Sequence, residues 1–213
     1  MELKGLYKLK KNDYEKLIAT YKDAFKDYPK LRQSFPDPVK KAAALEASLR
    51  FYVAYDMEFG EAFSTDSEVR DGICLIHSDG MGYGEDRYAQ AGCYSDEYYA
   101  AMDILTDEDK AVREALFNAI DEEEAKIDIP EPHIYADFLG VHSDVQQQGR
   151  GRKLMGAACE YAAGLGLPLM LFTNTDADVA FYKSMGFKVI AVVDFKEFGY
   201  TSTYMLKEVE TDG

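Results

Sequence analysis

Residues 146–153, Gln-Gln-Gln-Gly-Arg-Gly-Arg-Lys, combine the residue types that hold an anion on a backbone. Gly149 and Gly151 have no Cβ, so the chain there can turn tightly and offer its N–H groups to a ligand. An apolar, helically spaced stretch follows, and a helix start adds unpaired N–H groups and the positive end of its dipole. A diphosphate suits such a turn, with Arg150, Arg152 and Lys153 adding charge. The competing reading is a surface turn that needs two glycines. The turn lacks the Lys-Ser/Thr ending of a Walker loop and the third glycine of a dinucleotide fingerprint. Just upstream, His133, Tyr135 and Asp137 alternate along one extended stretch and share one face unless a bulge intervenes.

The surrounding pattern supplies the elements that position these residues. A short strand at 6–9 leads to a helix that begins with a capping-box-like Asn12 and Glu15 and carries Leu17, Ile18, Tyr21, Ala24 and Phe25. Pro29 and Pro36 read as breaks. Asp37-Pro38 is a cap followed by a first-turn proline, opening a helix to about residue 55 with Val39, Ala42, Ala43, Leu49 and Val53 on its apolar side. Segments 57–64 and 69–77 read as a hairpin, and 78–92 as a plain loop with no helix opening after its glycines. Ser95 and Thr106 cap two helices, the second bearing Val112, Leu116 and Ile120 and ending in an acidic run, residues 121–124, that reads as a solvated face. A strand at 133–141 precedes the glycine turn. Leu154, Ala158, Ala162 and Leu165 mark the helix after it. A buried strand at 167–172, a helix at 177–185 capped by Asp176, and two strands at 187–195 and about 201–207 follow, with an acidic, fraying tail past Glu208.

The 213 residues suffice for one domain with a full core, and 47% apolar and 30% charged residues are ordinary for a folded soluble chain. A net charge of −15 argues against nucleic acid or an anionic membrane as partner and suits a small cationic or neutral substrate. Cys74, Cys93 and Cys159 are odd in number and lack metal-ligand spacing, so no disulfide framework and no metal is expected. With no signal-like or bilayer-length apolar run, the expected location is cytoplasmic.

Gln146-Gln-Gln-Gly149-Arg-Gly151 resembles the Gln/Arg-x-x-Gly-x-Gly/Ala signature of the GNAT N-acetyltransferases, and Leu139-Gly140-Val141 resembles the strand end before it. Residues 173–187, with Phe181-Tyr182 followed by Gly186-Phe187, resemble the family's later motif. The resemblance covers about 132–208 and is closest to puromycin-type members. It implies a single α/β domain over 1–213, with an acceptor-side part at 1–131 and an acetyl-CoA-binding core at 132–208. The implied fold is a mixed central sheet of about 6–7 strands, with splayed central parallel strands and helices on both faces.

The resemblance further implies acetyl-CoA as co-substrate, its diphosphate on the backbone of Gln148, Gly149, Arg150, Gly151, Arg152 and Lys153 beside Gln146, and its pantetheine along Leu139, Gly140 and Val141. The acetyl group moves directly to a primary amine, expected to belong to a small molecule. Such a transfer needs a proton acceptor, a polarised carbonyl and an acid for the leaving thiolate. Tyr182 matches the family's acid, Asp137 is the first choice of base and Tyr135 the second, and Asp178 stands where many relatives have asparagine. Tyr52, Tyr55, Glu58, Phe59 and Glu61 are candidates for the acceptor pocket. A CoA-binding sensor without turnover and a peptide N-acetyltransferase are the alternatives, and the final strands form a candidate homodimer edge.

Overall fold

The computed structural model describes residues 2–82 and 84–209. In chain order the elements are β1 (Tyr7–Lys8), α1 (Tyr14–Phe25), α2 (Pro29–Ser34), α3 (Pro38–Phe59), β2 (Glu61–Ser64), β3 (Asp71–His77), α4 (Glu85–Ala91), α5 (Asp96–Met102), α6 (Asp107–Glu124), β4 (Ile134–Val141), α7 (Arg150–Leu165), β5 (Leu169–Thr173), α8 (Asp176–Lys183), β6 (Lys188–Phe195) and β7 (Tyr200–Lys207). No helix among the described residues is long and apolar enough to cross a membrane.

The strands form one seven-stranded sheet in the order β1-β2-β3-β4-β5-β7-β6. Every pairing is antiparallel except that of β4 with β5, which joins only Ile134 to Leu169 and Tyr135 to Met170. Beyond Tyr135 the two parallel strands part, although β4 continues to Val141 and β5 to Thr173. One face is covered by α7 and α8, whose Leu154, Met155, Ala158 and Tyr182 bury Ile73, Leu75, Ile134, Leu169 and Leu171. The opposite face is covered by α1 and α3, with Leu17, Tyr21, Leu49 and Val53 against Ala62 and Cys74. This is the mixed, two-faced sheet that the family resemblance implies.

Local chemistry explains most boundaries and corrects several expectations. Asp37 Oδ1 accepts from the amides of Val39 and Lys40, both at 2.9 Å, and Pro38 occupies the first turn of α3. This helix runs past residue 55 to Phe59, so the expected strand at 57–64 begins only at Glu61. Gly60 follows it, at a position where a side chain does not fit because a Cβ would lie 2.4 Å from the Leu75 carbonyl oxygen. Val69 sits in a turn at φ 56° and the next strand starts at Asp71 rather than 69. Pro29 opens α2 instead of breaking the chain. The carboxylate that organises the start of α1 is Asp13, which accepts from the Lys10 amide at 3.0 Å, and not Asn12. The segment 78–92 is more than a loop, because α4 starts after Gly84 without a side-chain cap, the signal by which a sequence announces a helix. For α8 the cap is Thr175 rather than Asp176. Val39, expected on the apolar side of α3, is exposed. Tyr83 in the glycine-rich segment, and the acidic tail from residue 210, lie outside the described residues.

Candidate functional site

The glycine turn follows β4 through a 3-10 turn at Ser143–Val145 and enters α7 at Arg150. Gly149 has φ +78°, a left-handed conformation that glycine adopts without steric cost, and Gln147 has φ +60°. Gln146 Nε2 donates to the Val141 carbonyl at 3.0 Å and ties the turn back to the strand. Among the described residues no backbone partner is found for the amides of Gln148 to Arg152, the first being Lys153 N to Gly149 O at 2.9 Å. An open hollow lined by Gln148, Gly149, Arg150, Lys153, Thr65 and Asp66 lies over this turn. Unpaired amides at the start of a sixteen-residue helix are suited to phosphate oxygens.

The cations of the turn are deployed less simply than their sequence suggests. The Arg150 guanidinium turns away into β2–β3, donating to Thr65 Oγ1 (2.8 Å), Asp66 Oδ2 (2.9 Å) and Asp71 Oδ2 (2.9 Å). Asp71 is fully buried, and burial alone would raise its pKa. Hydrogen bonds from Thr65, Arg150 and Ser64 overcome that and hold it below the ordinary value. Arg152 donates to Ser184 Oγ at 2.9 Å and lies over the Phe181 ring. Lys153 alone of the three has an exposed side chain without a recorded partner among the described residues.

Along β4 a bulge shifts the pairing, with Cys74 opposite Phe138 and Leu75 opposite Ala136. Asp137 is the extra residue. Ile134, Ala136 and Leu139 pack with the α7 face, whereas Tyr135 and Phe138 pack toward the helices of the other face. Asp137 lies in the surroundings of Lys30, Asp56 and Tyr135. His133 is apart from this group. It is buried, its Nδ1 lies 3.0 Å from the Pro130 carbonyl, and its amide donates to Ser78 Oγ.

Around Asp137 the fold collects charges that pattern reading does not bring together. Asp56 is buried on α3 beside it, with Oδ2 lacking a hydrogen-bond partner among the described residues. Burial pushes both carboxyls up, Asp56 the further, while Lys30 pulls Asp137 back toward ionisation. Lys30 on α2 stands over the rings of Phe117 (4.8 Å) and Phe172 (5.7 Å), and burial brings its ammonium down to about 8 against the opposing pull of Asp137, Glu124 and Asp121. Burial raises Glu124 to about 7, so the end of the acidic run is not the solvated face expected for it. Tyr52 belongs to this cluster, near Arg113 and Asp137. Tyr55 instead bonds the Gly82 carbonyl and Phe59 packs under Arg87, while Glu58 and Glu61 pair with Lys11 and Lys8 at the surface. Asp56 had a legible signal, a charge three residues after Val53 on the apolar side of α3. Lys30, on a six-residue helix hidden behind a proline, had none.

On the opposite sheet face Tyr182 is buried in the α7–α8 core, and burial raises its pKa far above that of free tyrosine, with Asp178 and Tyr28 adding to the effect. Asp178 answers the asparagine question structurally. Its Oδ2 accepts from Thr175 Oγ1 (2.7 Å) and Thr173 Oγ1 (3.0 Å), and its amide donates to Thr175 Oγ1, so it completes the cap of α8. Tyr28 closes the end of β5, its hydroxyl accepting from Asn174 N at 3.1 Å and lying 3.3 Å from Thr173 Oγ1. Tyr182 and Asp137 thus flank the gap between β4 and β5 from opposite faces of the sheet.

Residues 96–189 match the family described as Acetyltransferase (GNAT) domain. Over that stretch the chain is similar to the GNAT acetyltransferases. The matched stretch runs from α5 to the start of β6 and holds the glycine turn, the strand parting and Tyr182. Solved structures share the architecture of this chain over nearly its whole length. An HPA2-related acetyltransferase from Corynebacterium glutamicum superposes with TM-score 0.61 at 14% identity, covering 97% of this chain and 96% of that one. Arylalkylamine N-acetyltransferase 2 from Aedes aegypti gives 0.60 at 14% identity, covering 96% and 98%. Naa20 from Chaetomium thermophilum, solved with a bisubstrate analogue, gives 0.53 at 18% identity, covering 97% and 87%. At these identities the likeness is one of fold. No curated sequence matches the chain.

Proposed function

We propose that this GNAT domain transfers the acetyl group of acetyl-CoA to a primary amine of a small molecule, directly and in a ternary complex, in the cytoplasm. The observation that carries the reading is the short β4–β5 pairing, which ends at Tyr135 and Met170 while β4 runs on alone to Val141 and leads through a turn into unpaired amides at the start of α7. In this reading the diphosphate rests on the amides of Gln148 to Lys153, with Lys153 as the available cation. The pantetheine runs along Leu139, Gly140 and Val141, and the thioester enters where the strands part. The acceptor approaches from the face of Lys30, Tyr52 and Glu124. Asp137, kept ionised by Lys30, accepts the amine proton, with Tyr135 beside it, and Tyr182 protonates the leaving sulfur from the other face. A buried tyrosine with a raised pKa is a weak acid, but the same burial disfavours the charge on the leaving sulfur and so raises its demand for the proton in the transition state.

A peptide acceptor is the second reading. It is favoured by the net charge of −15, which suits a basic chain. Calorimetric titration with CoA tests the shared premise, since no detectable binding would sink both readings. With binding in hand, a panel of small amines and of peptides assayed for thiol release decides between them. Tyr182→Phe should lower kcat about 10²-fold with CoA affinity retained. Binding without turnover on any acceptor would instead describe a CoA sensor.

A further inference from the structure

Lys30, on α2, has surroundings unlike those of an ordinary surface lysine. Its side chain reaches into the cleft face of the sheet, with the ammonium over the Phe117 and Phe172 rings at 4.8 and 5.7 Å. Among the described residues it has no ion pair and no hydrogen bond, although Asp137 on β4 and Asp121 and Glu124 on α6 act on it from farther off and Arg113 opposes them. Most lysines lower their energy by hydration or by direct pairing with a carboxylate, as Lys8, Lys22 and Lys188 do here. Burial strips this ammonium of part of its hydration and makes the neutral amine easier to reach, an effect that the attraction of the ring faces for the cation offsets only in part. Its carrier, α2, starts next to Tyr28, whose hydroxyl sits at the end of β5 where the strands have parted. Phe172, under the ammonium, is the residue just before that end. The amine therefore stands on the acceptor side of the gap, between the aromatic wall and the residue read as the base.

We infer that Lys30 is itself an acetyl acceptor, modified within its own chain when acetyl-CoA is bound and no external amine fills the cleft. The inference rests on the acetyltransferase reading and adds a modification site to it. In the step, the lone pair of the neutral Nζ attacks the thioester carbonyl carbon. The C–N bond forms as the C–S bond breaks, the surplus proton on nitrogen passes to the Asp137 carboxylate, and the sulfur leaves with the proton of Tyr182 as free CoA thiol. The product is an uncharged amide in the cleft. It removes the cation that favours ionised Asp137 and Glu124 and occupies the space of an incoming amine, so the modified chain is expected to be a poorer catalyst.

The test is intact-mass and peptide mass spectrometry of the full chain incubated with acetyl-CoA at about pH 8, without added amine. One acetyl group per chain is expected, at a rate independent of protein concentration and saturable in acetyl-CoA. It should sit on the tryptic peptide of residues 27–32, in which acetylation blocks cleavage after Lys30. Lys30→Arg should lose this label, and Asp137→Asn should slow it about 10²-fold, while folding of both is checked by circular dichroism. Label spread over surface lysines such as Lys4 and Lys40, at equal rates in the Asp137→Asn chain, would mean chemical acetylation and overturn the inference. An unmodified Lys30 in a chain that binds CoA and acetylates external amines would overturn it too and leave the enzymatic reading intact. Absence of CoA binding would overturn both.

Discussion

At the residue scale the site turns on how Asp137 is placed. A carboxylate that is withdrawn from water and only partly relieved by Lys30 and by hydrogen bonds with Asp56 and Tyr135 titrates above the ordinary carboxylate range of about 4. As the base it must be ionised, so kcat/KM should fall as the pH drops through this raised value, and the fall should begin well above that of an exposed aspartate. A pH–rate profile of Asp137→Asn should lack that limb, with residual turnover about 10²-fold lower. Were the limb to persist unchanged, the titrating group would lie elsewhere, with Glu124 the next candidate. The same burial acts on stability in the opposite direction. A folded-state pKa raised for an acid means that the native chain holds its proton longer than the unfolded one, so ionising Asp56 or Asp137 with rising pH costs stability.

At the scale of elements, the glycine turn is only as well placed as the helix behind it, and α7 is clamped to β3 through Arg150 and Asp71. Asp71 is fully buried and receives hydrogen bonds from Thr65 N, Thr65 Oγ1 and Ser64 Oγ besides the guanidinium. Its folded pKa lies below its unfolded one, so its contribution is complete above the unfolded value near 4 and is lost as the pH falls toward the folded value. Asp71→Asn leaves the Arg150 charge partly buried and short of a partner. It should destabilise the chain by about 3 kcal/mol at pH 7, measured by urea unfolding, and flatten the acid limb of stability. If the loss were below about 1 kcal/mol, the clamp would count no more than a surface ion pair. The bulge at Asp137 belongs to the same scale: one extra residue in β4 sends Asp137 and Phe138 both toward the acceptor side while Leu139 returns to the α7 face.

Across the whole molecule, the two halves meet at a gap in the sheet instead of a conventional pocket. A ligand that fills this gap binds the folded chain and not the unfolded one, so CoA at 100 times its Kd should add about 2.7 kcal/mol of stability and raise Tm. A thermal-shift series against CoA concentration reads this directly, and a Tm that stays level would contradict the proposed site. The amino-acid pattern by itself determined the order of the core strands and helices from β4 onward, the glycine turn, and Asp37, Ser95 and Thr106 as helix caps. These depend on short-range rules, the preference of glycine for positive φ and of Asp, Ser and Thr for a helix start, and a linear pattern carries such rules in full. It also placed Tyr135 and Asp137 near one another because alternation along a strand is local. Tertiary structure alone decided that Arg150 serves Asp71, that Asp178 caps α8, that Glu124 is half-buried, and that Lys30 and Asp56 converge on Asp137 from two helices. Burial and long-range approach set those outcomes, since a charge acquires its energy from whatever the fold packs around it, and residues 30, 56, 124 and 137 are neighbours only after the sheet has closed over them.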